Sequence, residues 1–73
     1  MASFNDVFKK RLKVCMAEAE METKELSAKT GISTDVIYQY RRGETIPLLE
    51  TACLIANALG CTPNDLCGWE DQR

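Results

Sequence analysis

Phe4, Val7, Phe8, Leu12, Cys15, Met16 and Ala19 recur at steps of three and four along the start of the chain. A repeat near 3.6 residues places them on one helical face, so the pattern predicts a first helix running to about residue 20. Ser3 or Asn5 is suited to cap its start. Lys9, Lys10 and Lys13 fall on its polar face, either as an ordinary solvated surface or, for the first of them, beside a bound polyanion. A second, shorter helix fits residues 23–30, with Leu26 and Thr30 one turn apart. Gly31 follows where a left-handed cap residue belongs. Ile32 then plugs the core and Ser33 caps a third helix, 34–42. Within it Val36, Ile37 and Tyr40 share the inward face, while Thr34, Asp35, Tyr38, Gln39 and Arg42 point out. Gly43 ends it.

ETIP, residues 44–47, reads as a turn, because proline keeps its predecessor extended and suits a helix start. LLETACLIANAL, residues 48–59, is mostly apolar with small residues, and is expected to be the central and most buried helix. Gly60 closes it. Thr62, Pro63 and Asp65 supply the cap, first and third positions of a fifth short helix anchored by Leu66. Trp69 follows, either as a lid on a small core or as an apolar anchor for a second subunit, and residues 70–73 are expected to fray. The outcome is an all-α chain of five helices forming one domain over residues 1–73.

At 73 residues the core is marginal and favours tight helix packing or a partner chain. No apolar run nears the ~20 residues of a membrane span, and MASFNDVFKKRLK lacks a secretory apolar stretch, so a cytoplasmic location is expected. The cysteines at 15, 53, 61 and 67 form no C-x-x-C pair and there is no histidine, so they read as buried thiols, with no metal and no cofactor implied. The net charge of −2 is segregated. Residues 24–45 hold four basic and three acidic groups, whereas residues 46–73 hold one and four, so the C-terminal third faces away from any polyanion. With no histidine, no G-x-S-x-G and no phosphate loop, an enzyme is not expected.

The constellation that carries function is the Gly31-Ile32-Ser33 corner between two short helices. Such a corner projects one helix out of the body, where it can lie in the DNA major groove. Taken with "ELSAKTGISTDVIYQYRRGETIP" and "LLETACLIANALGCTPNDL", residues 8–66 resemble the helix-turn-helix family of the lambda and 434 phage repressors and Cro. The specific part is the joint spacing of Leu26, Gly31, Ile32, Ser33, Ile37, Gly43 and Pro47, followed by Leu-Glu-Thr and Ala-Leu-Gly.

The resemblance implies a compact five-helix lambda-repressor-like fold, with the helix-turn-helix at the second and third helices. It implies base reading by Thr34, Asp35, Tyr38 and Gln39. Gln39 suits adenine N6 and N7, Asp35 suits cytosine N4, and Thr34 suits a base edge or a thymine methyl. Thr23, Lys24, Arg41, Arg42 and Thr45 fall where phosphates are held. Several positions depart from the family pattern. Glu22 and Thr23 stand where Ser or Thr followed by Gln is usual. Arg41 replaces a common Glu while Met16 replaces its Arg partner, which leaves Arg41 free for phosphate or for helix-end carbonyls. Glu44 stands where a basic residue is frequent. The expected activity is that of a sequence-specific transcriptional regulator, a repressor of phage or mobile-element type. It would bind double-stranded operator DNA as a homodimer through Leu66 and Trp69. The alternative is a protein-interaction module, antitoxin-like or co-regulator-like, on the same scaffold.

Overall fold

A computed structural model describes residues 4–67 of the chain, and the description below concerns those residues. They form five helices: α1 (Phe4–Glu18), α2 (Thr23–Thr30), α3 (Thr34–Arg42), α4 (Leu49–Leu59) and α5 (Pro63–Cys67). No strand is present among them, and no helix is long and apolar enough to cross a membrane. Trp69 and the 70–73 tail lie outside the described residues.

The centre of the domain is α1. Phe8, Leu12, Cys15 and Met16 are its buried stripe, and they meet Leu26, Ile37, Tyr40, Ile55, Leu59 and Leu66 in one core. The helix packs against both α3 and α5, and α4 packs against α2 and α5. The Phe8 and Tyr40 rings meet edge to face, with centroids 6.1 Å apart and planes at 84°. Burial also raises the Tyr40 phenol above its ordinary pKa. Two polar ties reinforce α1: Asn5 Nδ2 donates to the Gly43 carbonyl at 3.3 Å, and Arg11 Nε donates to the Asp65 carbonyl at 2.8 Å. Asn5 therefore does not cap its own helix. It lies inside α1 and closes onto the end of α3.

The expectation for α4 is corrected. The helix starts at Leu49, with Leu48 as its cap residue, and it is not the most buried element. Ala52, Ile55, Ala56 and Leu59 are buried, but Leu48 is 79% exposed, Leu49 73% and Leu54 48%. Overall apolarity does not choose a face. In so small a domain two neighbouring helices cover one side of α4 and leave the other bare. Cys53, expected to be buried, is exposed on that bare side, while Cys15 is buried as expected. Cys61 is half-buried, and burial, with Cys15 beside it, pushes its thiol up to about 12. Leu66 is fully buried among α1, α4 and α5, so it has no surface to offer a second subunit.

The helix ends share one device. Glu44 N–H donates to the Gln39 carbonyl and Cys61 N–H to the Ala56 carbonyl, wrapping back past Gly43 and Gly60, both left-handed. At the end of α1, Met21 N–H donates to the Met16 carbonyl at 3.0 Å in the same way. Here the residue in the left-handed position is Glu20, at φ 53°. This is the reason α1 stops at Glu18, although the apolar pattern continues to Ala19. A glycine would adopt the same backbone without a Cβ penalty. Glu20→Gly is therefore expected to stabilise the fold by about 1 kcal/mol, read as a higher urea midpoint at unchanged slope.

Candidate nucleic-acid interface

The corner between α2 and α3 is built from small polar residues. Gly31 adopts φ 79°, and its N–H donates to the Ser27 carbonyl at 2.9 Å. The Ser27 hydroxyl donates to the Ile32 carbonyl at 2.5 Å. Thr30 Oγ1 donates to the Leu26 carbonyl and accepts from Ile32 N–H. Ser33 Oγ then accepts from Val36 N–H at 3.3 Å and starts α3. Every backbone group that the sharp turn strips from a helix thus regains a partner. Ser27 and Thr30 carry half of this work and were not singled out by spacing. The signal available was two hydroxyls on the last turn of a helix that ends in glycine.

Once started, α3 is held by its inner face. Ile37 and Tyr40 are buried, and Val36 is half-buried against the same core. Positions 34, 35, 38, 39 and 42 then fall together on the opposite side. Asp35 and Tyr38 are exposed, and Thr34 and Gln39 are half-buried at its edges. The structure therefore brings all four residues expected to read bases onto one outward surface.

That surface borders a cleft of about 730 Å³ between the end of α1, the start of α2 and α3. Lys13, Lys24, Tyr38 and Arg41 line it, together with Glu20 and Glu22. The first N–H groups of α2 open into this region, with the dipole favouring an anion. Glu22 is the cap residue of α2, and its N–H donates to Glu25 Oε1 at 3.5 Å. Its carboxylate is thus local capping chemistry as well as negative charge.

Two expected phosphate residues are already engaged. Arg41 is not free: its Nη1 donates to Thr23 Oγ1 at 2.7 Å, tying the end of α3 to the start of α2. Thr23 is buried, so its side chain serves this tie, and what it can offer an anion is its backbone N–H. Arg42 pairs with Glu44 through two hydrogen bonds, Nε to Oε2 at 2.5 Å and Nη2 to Oε1 at 3.4 Å. Both side chains are over half exposed. The pairing raises the Arg42 guanidinium and holds the Glu44 carboxyl below its ordinary range. Lys24 is exposed, and Thr45 is half-buried in the turn after Gly43. Lys9 adds a cation that spacing alone left ambiguous. A Cβ placed on Gly43 would lie 3.2 Å from Lys9 Cδ, so the lysine stem runs over the end of α3. Among the described residues no group of three potential metal ligands occurs.

Two short helices at a glycine corner, the second anchored from within and bare outside, define a helix-turn-helix protein. A family model for the Cro/C1-type HTH DNA-binding domain matches residues 11–72. The chain belongs to that family and is a DNA-binding regulator. Searches of curated proteins and of solved structures returned no match.

The Arg41–Thr23 tie fixes the angle between the two helices of the motif. Because Arg41 is solvent-exposed, its hydrogen bond is expected to contribute about 1 kcal/mol rather than the larger values of buried charged bonds. A double-mutant cycle with Arg41→Met and Thr23→Val in urea unfolding is expected to return a coupling of that size. Additive single effects would show that the contact is not made in solution.

Proposed function

We propose that this chain is a sequence-specific transcriptional regulator, a repressor of phage or mobile-element type, that occupies an operator by inserting α3 into the major groove. One observation carries the reading: the outward face of α3 presents Thr34, Asp35, Tyr38 and Gln39 together while Ile37 and Tyr40 lock the helix from behind. Gln39 is assigned to adenine, Asp35 to a cytosine amino group and Thr34 to a base edge or thymine methyl. Tyr38 lines the cleft at the start of α2, so its hydroxyl is placed for a base edge or a nearby phosphate. Lys24 and the open amides of α2 receive one phosphate, and Lys9 and Thr45 flank the other end of α3. Arg42 joins them when phosphate competes with Glu44. Two copies on a two-fold axis read half-sites about 34 Å apart. The action is cytoplasmic, where such DNA is met, and involves no catalysis and no cofactor.

Selection of bound duplexes from a random pool tests this reading. A two-fold-symmetric site is expected to emerge. Gln39→Ala is expected to relax preference at one position per half-site, at a cost of about 1–3 kcal/mol. A folded protein that enriches nothing would overturn the assignment.

The protein-interaction reading draws on one feature, the neutralisation of Arg42 by Glu44. Salt separates the two. Glu44→Gln releases Arg42, so on DNA it is expected to tighten binding and steepen the plot of log K against log salt by about 0.9, the value of one added phosphate contact. A surface that binds protein instead gains no such slope.

A further inference from the structure

We propose that the outer face of α4 is where a second copy of this chain docks, about a two-fold axis passing between Cys53 and Leu54. The proposal rests on the operator reading above and names the surface that joins the two copies. Among the described residues six large apolar side chains are exposed, and four of them, Ile46, Leu48, Leu49 and Leu54, lie on α4 or the turn before it. On the helix itself Leu49, Glu50, Cys53, Leu54 and Asn57 line a shallow cavity of about 540 Å³. These positions follow the i, i+4, i+8 stripe that one helix offers another.

The chemistry of the stripe selects a second copy as the occupant. No lysine or arginine occurs between residues 43 and 72, so the face has nothing to hold a polyanion or an acidic protein. Its one charge is Glu50. With two antiparallel α4 helices related by the proposed axis, Cys53 lies opposite Leu54 of the second copy, and Leu49 opposite Ala58. Glu50 then meets Asn57 of the second copy, whose amide can donate to the carboxylate. The face is therefore complementary to itself, large against small and acceptor against donor, with no like-charge pair. This is the condition an isologous two-fold contact imposes.

Position and area agree. Residues 43–48 carry the chain from the end of α3 directly into this face. Pairing there joins two copies beside the ends of their reading helices. An 11-residue helix offers a face ~16 Å long and ~11 Å wide. Even with Ile46 and Leu48 added, that falls short of the ~800 Å² per partner of a standard interface. The free dimer is accordingly weak, and DNA completes it by holding two copies side by side at high effective concentration.

Cys53 makes the contact trappable without DNA. With copper-phenanthroline in air, two Cys53 thiols lose two protons and two electrons to dissolved oxygen, giving one disulfide and hydrogen peroxide. The wild-type chain is expected to yield a disulfide-linked dimer on a non-reducing gel, and Cys53→Ser to yield none. Leu54→Glu retains the thiol and alters an exposed position, so it is expected to keep its circular dichroism spectrum while slowing the trapping by about tenfold, the effect of a 1.4 kcal/mol loss. Equal trapping rates in wild type and Leu54→Glu overturn the proposal, as does a dimer that survives Cys53→Ser. A protein that selects a two-fold DNA site without trapping through Cys53 loses this proposal alone. One that traps as described yet selects no DNA loses only the operator reading.

Discussion

Everything the outer surface can do depends on how α3 is rotated about its axis, and that rotation is set by Tyr40 and Ile37 against α1. The Tyr40 ring stands edge-on to Phe8 at 6.1 Å, and both side chains are buried. One residue of helical slip turns the face by 100° and would exchange Gln39 or Tyr38 for a core residue. A slip of that kind buries polar groups and exposes an aromatic ring, which costs several kcal/mol in a domain whose total stability is about 5–15. The reading face is therefore specified by what lies behind it. Asn5, donating to the Gly43 carbonyl, fixes the far end of the same helix.

The near end is fixed by different means. An eight-residue α2 and a nine-residue α3 are both too short to stand alone as helices. Their angle comes from the hydroxyls of Ser27 and Thr30, the left-handed Gly31 and the Arg41–Thr23 hydrogen bond. The Arg41–Thr23 contact stands in place of an ion pair between α1 and α3, whose positions hold Met16 and Arg41 here. Met16 turned into the core contributes apolar burial instead. One long-range electrostatic tie has thus been exchanged for packing plus a local hydrogen bond, and the two helices still hold a fixed angle.

The five helices and their breaks were legible because glycine, proline and hydroxyl caps act within one turn of where they stand. α2 and α3 emerged with the expected ends for that reason. The end of α1 was not marked, since its left-handed position carries Glu20 rather than glycine. The outward set of α3 followed from periodicity once Ile37 and Tyr40 were placed inside. What could not be read was how neighbours share a surface. Leu66 and α4 are both apolar, yet Leu66 is sealed and much of α4 is bare, because only the assembled packing decides which apolar face finds a cover. The partners of Arg41 and Arg42 were hidden for the same reason. A guanidinium can reach several acceptors, and the one it takes depends on the distance between helix ends.

Charge decides the balance between holding DNA and reading it. Around the outward surface of α3 stand Lys9, Lys13, Lys24 and Arg42, and among them Glu20, Glu22, Asp35 and Glu44. Four cations against four carboxylates give almost no net attraction for a polyanion, and Arg42 spends part of its charge on Glu44. Nonspecific affinity arises almost wholly from phosphate neutralisation, so a surface of this kind has little of it. Specific binding must then come from base contacts and from coupling two weak half-site interactions through a second copy. Discrimination between sites depends on the ratio of specific to nonspecific affinity. A domain with a balanced reading face can therefore be selective at modest absolute affinity, and the acidic composition works toward that ratio rather than against DNA recognition.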